Sequence, residues 1–168
     1  MTIQQKIPFF RLSIPAVIAL LFVLLSVLPF SVSPTTKIYV PLVLIVIYYF
    51  AIFRPSVLNV ITVFFLGILT DLLLSTPFGL NAFFFVLLFF IANLARSFLL
   101  EMSFNGLWIS FMLLMFIIDL LWYLFSSFMA GEWLFLGAFI LQYILLVLFC
   151  PLIISFCCWL NIKLGYES

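Results

Sequence analysis

The sequence predicts an all-α polytopic membrane protein, and three observations predict it. Hydrophobic residues make up 69% of the 168 positions, charged residues only 7%, and the apolar residues fall into long runs separated by short polar breaks. A soluble domain carries about 25% charged residues. A chain with so few cannot cover its own surface in water, so lipid must solvate its side chains. The runs are continuous and lack the alternation of a membrane barrel, which argues against strands. No polar stretch is long enough for a second domain, so residues 1–168 are expected to form one integral membrane domain.

Six spans follow from the interruptions, each near the ~20 residues that a bilayer requires. The first runs from Ile14 to Pro29 and is followed by Ser33-Pro34-Thr35-Thr36-Lys37. The second, Ile38 to Phe53, ends at Arg54-Pro55. The third, Ser56 to Leu74, meets the turn Ser75-Thr76-Pro77-Phe78-Gly79. The fourth, Leu80 to Phe98, closes at Glu101-Met102-Ser103. The fifth is Phe104 to Phe128, and the sixth is Trp133 to Leu160, with Pro151 expected to kink it.

Six spans put Lys6, Arg11, Arg54, Arg96 and Lys163 on one side and Lys37 on the other. The positive-inside rule then places both termini in the cytoplasm. Trp108, Trp122, Trp133 and Trp159 lie toward span ends, as interfacial anchors do. Lys6 and Arg11 before an apolar run ending in Ser31-Val32-Ser33 also imitate a cleavable signal peptide. Against cleavage, the run is longer than a typical signal core and Pro34 would follow the cut.

Composition narrows the chemistry. A net charge of +1 with no clustered basic face gives nothing for nucleic acid to bind. The chain has no His, which removes the commonest metal ligand and general base. Cys150, Cys157 and Cys158 fit neither a zinc site nor a disulfide framework and read as small apolar side chains in a helix. No cofactor is expected, and the 24 Phe read as lipid-facing and packing bulk.

An ionisable group in hydrocarbon costs several kcal/mol, so Asp71 and Asp119 call for an explanation. Each lies 15 residues past the start of its span, roughly 22 Å up at ~1.5 Å per residue, which puts the two nearly level. Asn81 can reach the same layer. Gly67, one turn before Asp71, permits close approach of a neighbouring helix, so that face is expected to point into the bundle. The aspartates read as packing or hydrogen-bonded groups, against a proton relay or a contact surface for another membrane protein. Replacement by Asn separates these: packing predicts mild effects, a relay predicts loss of function. Arg54 and Arg96 sit at helix ends, where a cation snorkels to headgroups and suits a helix C-terminus. Gln142 reads as an interhelical hydrogen-bonding group.

From Pro41 to Asp119 the chain resembles the bacterial rod shape-determining protein MreD family. The resemblance is carried by Arg54-Pro55, then Gly67-Ile68-Leu69-Thr70-Asp71-Leu72-Leu73, the turn from Ser75 to Gly79-Leu80, and the later Asp119-Leu120-Leu121. Asp71, Gly79 and Asp119 match the family pattern by position, and Arg54 more loosely. The resemblance implies a non-enzymatic part of the cell-wall elongation machinery in the inner membrane. It implies association with MreC and, through that complex, with MreB, RodA and penicillin-binding protein 2. It also implies the six-helix fold of the substrate-binding, vitamin-type subunits of energy-coupling-factor transporters.

A transporter subunit is therefore the second reading, with a pocket near Asp71, Asn81 and Asp119. The Ser/Thr/Pro/Gly turns provide few convergent polar groups for such a pocket. An enzyme acting on lipid-linked substrates is the third and weakest. The two carboxylates have no His partner, and Arg54 and Arg96 lie near the opposite face.

Overall fold

The fold is seen in a computed structural model that describes residues 9–28, 30–33, 36–55, 57–131 and 136–163. Among these residues stand seven helices: α1 (Phe9–Ser26), α2 (Val43–Phe53), α3 (Val60–Leu74), α4 (Leu80–Leu94), α5 (Arg96–Leu100), α6 (Phe104–Ala130) and α7 (Leu136–Lys163). A two-stranded hairpin, β1 (Phe30–Ser33) and β2 (Thr36–Ile38), joins α1 to α2. Helix stands in every apolar run, and the differences from expectation lie at the run ends.

Strand was not expected, yet β1 and β2 pair antiparallel, with Phe30 opposite Ile38 and Ser31 opposite Lys37. The residues around the Ser-Pro-Thr break are β-branched or turn-forming, which favours a ribbon over a loop. The second helix begins at Val43 rather than Ile38. Pro41 has no N–H to give and disfavours helical geometry at Val40, so the helix waits for the next turn. The third begins at Val60, after Asn59 in extended conformation, rather than at Ser56. The fourth run breaks at Ala95 (φ −79°, ψ −2°) into α4 and α5. In the sixth run, Pro151 lies inside α7; Trp133 falls outside the described residues, as do Lys6 and Glu132.

Apolar side chains face two ways. The helix α2 has no polar face and every residue from Val43 to Ile52 is buried, with α1, α4, α5 and α7 packed around it. Along α6, Phe111, Met115, Ile118 and Tyr123 recur at helical spacing on the buried face, while Ile109, Leu113, Phe116, Leu124 and Phe128 face outward. In α7 the buried stripe is Leu146, Cys150, Ile153 and Cys157, so two of the three cysteines are small core side chains and Cys158 is exposed.

At 27 and 28 residues, α6 and α7 reach about 40 Å, more than the ~30 Å of bilayer hydrocarbon. Only 28% and 22% of their most apolar stretches are buried. A core helix of a soluble protein shows the reverse, so these outward faces belong in lipid. The chain is thus a helical membrane protein. At 15 residues each, α3 and α4 reach about 22 Å, and the 11 residues of α2 reach about 16 Å.

Part-buried tyrosines tie helices together. Tyr48 of α2 places its hydroxyl 2.9 Å from Ser110 Oγ and donates to the Leu107 carbonyl at 3.3 Å, both in α6. Its ring meets Phe111 edge-on at 5.0 Å. Tyr143 of α7 donates to the Met112 carbonyl at 2.9 Å. The sequence points to Gln142 for that interhelical bond; its neighbour makes it.

The most extensive contact is between α3 and α4. It depends on Gly67, where a Cβ would meet the backbone of Ala82, its N at 2.7 Å. The expected inward face of Gly67 is therefore a direct approach of one helix backbone to another. Gly67→Ala should destabilise the protein by about 1–3 kcal/mol, the usual cost of overpacking, read as a lower unfolding temperature in detergent. Because the colliding atoms are backbone, adding Ala82→Gly should not restore it; full recovery in the double variant would show that the contact is ordinary side-chain packing.

Candidate functional site

The polar centre of the fold is built by the end of α3, the following turn and the start of α4. A helix ending in hydrocarbon leaves carbonyls without partners, and one starting there leaves N–H groups without partners. The chain reverses between the two by placing Ser75 (φ 54°) and Gly79 (φ 90°) in left-handed conformation. Glycine takes that geometry without steric cost, and Ser75 holds it with its N–H on the Asp71 carbonyl. Thr76 N–H donates to the same carbonyl at 3.1 Å.

The Asp71 side chain closes the other half of the turn. It is 1% exposed and accepts four hydrogen bonds. Its Oδ1 accepts from Thr76 Oγ1 at 2.8 Å, from the Asn81 backbone N–H at 2.9 Å and from Asn81 Nδ2 at 2.8 Å. Its Oδ2 accepts from the Gly79 N–H at 2.9 Å. Asn81 Nδ2 also donates to Thr76 Oγ1 at 3.0 Å. Every partner is a donor, the bonding of an acceptor-only carboxylate. Gly79 is the N-cap of α4, so the carboxylate lies where the helix dipole favours negative charge. In effect Asp71 is a capping residue supplied by the preceding helix.

The structure thus brings together Gly67, Asp71, Gly79 and Asn81 from the residues the sequence singles out. It does not bring Asp119 or Arg54 to them. Asp119, 4% exposed in α6, makes no hydrogen bond to this cluster among the described residues, and its Oδ2 is buried without a partner. Two aspartates expected to be level and alike are bonded in opposite ways. Arg54 is the half-buried C-cap of α2, its N–H on the Phe50 carbonyl at 2.9 Å.

Three roles escape the sequence. Arg96, expected to snorkel, turns inward and donates from Nε to the Ile52 carbonyl at the end of α2. It does suit a helix C-terminus, but that of another helix. Ser26, last residue of α1, accepts from the Val43 N–H at the start of α2 at 3.4 Å. Trp122, expected as an interfacial anchor, packs on the core instead, with its indole N–H buried and unpartnered. A fourth residue, Thr76, does carry a local signal, as a hydroxyl residue in the turn straight after a buried acid.

This bonding overturns the expectation that Asn at position 71 is mild. An amide there offers one acceptor oxygen and faces Gly79 N–H or the Asn81 donors with an N–H of its own. Asp71→Asn should cost about 1.5–3 kcal/mol, the range for a hydrogen bond to a charged group. Asp119→Asn, with no partner lost at Oδ2, should change stability much less. Thermal unfolding of the two variants in the same detergent tests this, and equal loss in both would refute the capping role.

A family model described as rod shape-determining protein MreD matches residues 6–159. The match extends the Pro41–Asp119 resemblance in both directions, through α1 and most of α7. No curated protein and no solved structure matches the chain. Helices that end on one another's side chains, outward faces suited to lipid, and a family match over nearly the whole length converge, and the chain belongs to the rod shape-determining protein MreD family, with a part in setting cell shape.

Proposed function

We propose that this chain is a non-enzymatic scaffold of the cell-wall elongation machinery, spanning the bacterial inner membrane six times with both termini in the cytoplasm. In this reading it binds MreC within the membrane and is linked through it to MreB, RodA and penicillin-binding protein 2. The observation that carries the reading is the closed bonding of Asp71. Asp71, buried in the bundle, directs all four of its hydrogen bonds at the turn that follows it and the start of α4, as a structural element does. Family membership supplies the process, and the long, little-buried faces of α6 and α7 supply surface for a partner's membrane span.

The transporter reading finds less support. The groove between α1 and α3, about 490 Å³, is lined by Ala16, Val17, Leu20, Phe65, Leu66 and Leu69 with Thr62 as the one polar side chain. A vitamin-sized ligand wants several convergent polar groups.

A tagged copy extracted in mild detergent should retain MreC, and a copy carrying Asp119→Asn should fold and be tested beside it. Failure of the folded, unaltered protein to retain MreC would overturn the assignment of partner, whereas loss from the folded Asp119→Asn copy alone would place Asp119 at the contact. Thiols engineered next to Met1 and Ser168 should both react only from the cytoplasmic side; labelling from opposite sides would overturn the six-span topology.

A further inference from the structure

The break at Ala95 between α4 and α5 is flanked by three polar side chains, Asn93, Arg96 and Ser97. Arg96 stands about 24 Å of helix from Leu80. The three therefore lie at the far end of the bundle from the Asp71 turn, where hydrocarbon gives way to headgroups. Phe83, Phe90 and Leu94 recur at helical spacing along α4 and face outward. Asn93 and Ser97 are exposed too, beside the end of this apolar stripe. Headgroup-type and acyl-type surface thus adjoin on one helix.

Arg96 is half-buried and pinned by its Nε bond to the Ile52 carbonyl. That bond uses one N–H of the guanidinium, and its two terminal NH2 groups have no protein partner among the described residues. No carboxylate neutralises it: Glu101, the nearest acid along the chain, is exposed in the next turn and makes no ion pair with Arg96. A guanidinium held by one edge still offers the donor pair that phosphate oxygens fit. On its exposed flank, the Asn93 amide and the Ser97 hydroxyl supply neutral donors, and neither side chain makes a hydrogen bond among the described residues. Arg54 stands two residues past the Ile52 carbonyl, a second cation at the foot of α2, and no ligand contact is assigned to it.

We propose that this corner binds the phosphate of an anionic phospholipid, with Arg96 as the charged contact, Asn93 and Ser97 as neutral donors, and the acyl chains lying along Phe90 and Leu94. A zwitterionic lipid brings its own cation to the phosphate and gains less from Arg96, so the net charge of the headgroup sets the preference. Because the Ile52 carbonyl already orders the Arg96 side chain, binding gives up little further rotamer freedom. Neither the identity of a protein partner nor the number of spans bears on this site.

Native mass spectrometry of the full chain in detergent, titrated with phosphatidylglycerol or phosphatidylcholine, tests this. The first phosphatidylglycerol should bind about tenfold more tightly than phosphatidylcholine, the scale of one hydrogen bond to a charged group. Ser97→Glu sets a carboxylate beside Arg96 at an exposed position, and should erase that preference with the unfolding temperature unchanged. Arg96→Gln should erase it as well, but it also releases the Ile52 carbonyl and should lower the unfolding temperature, so Ser97→Glu decides. Excess inorganic phosphate should leave the bound lipid in place; its displacement would make free phosphate the ligand and overturn the lipid assignment. Equal binding of the two lipids, or a preference that survives Ser97→Glu in the folded protein, would overturn the site.

Discussion

Hydrocarbon offers no hydrogen bonds, so a helix that starts or stops inside a bundle must find partners for its end groups within the protein. Three ends in this fold are met by side chains from other helices. Ser26 of α1 receives the first N–H of α2, Arg96 of α5 reaches the Ile52 carbonyl at its far end, and Asp71 of α3 receives the first N–H groups of α4. Each contact fixes both a helix end and the position of one helix against another. With no hydrophobic drive between helices in lipid, such ties and close backbone approaches take on the work that core burial does in water. The Gly67–Ala82 approach and the Asp71 cap lie one turn apart on the same pair of helices, so each holds the geometry the other needs.

How much of this the sequence discloses varies with the kind of interaction. Long apolar runs locate the helices because length and hydropathy are properties of a single segment. Gly67 and Asp71 point inward for a similarly local reason, their spacing of four on one face. The same logic misses Arg96, whose partner lies 44 residues earlier on a helix it meets only after folding. It also misplaces Trp122, since distance from a span end says nothing about which side of α6 faces protein. Counting residues from the helix starts makes Asp71 and Asp119 equivalent. The structure separates them, because Asp71 stands beside a helix start full of donors and Asp119 lies in the middle of a continuous helix whose own N–H groups are already used.

Function is legible to a different degree again. Of the residues that carry the resemblance, Gly67, Asp71 and Gly79 build the α3–α4 corner, whereas Arg54 and Asp119 lie elsewhere in the fold. The surfaces open to other proteins are uniform Leu, Ile and Phe, which carry no comparable signature in one sequence.

The burial of α2 has a consequence for biogenesis. This helix is apolar enough to enter a bilayer, but its 11 residues are too short to match the bilayer's thickness, and it packs against α4, α5 and α7, all synthesised after it. During synthesis it must wait as a mismatched segment whose Ile52 carbonyl and Tyr48 hydroxyl still lack their partners from α5 and α6. Maturation therefore completes from the C-terminal side, and a chain cut short before α7 would present the cell's quality-control proteases with a core that has no outer wall.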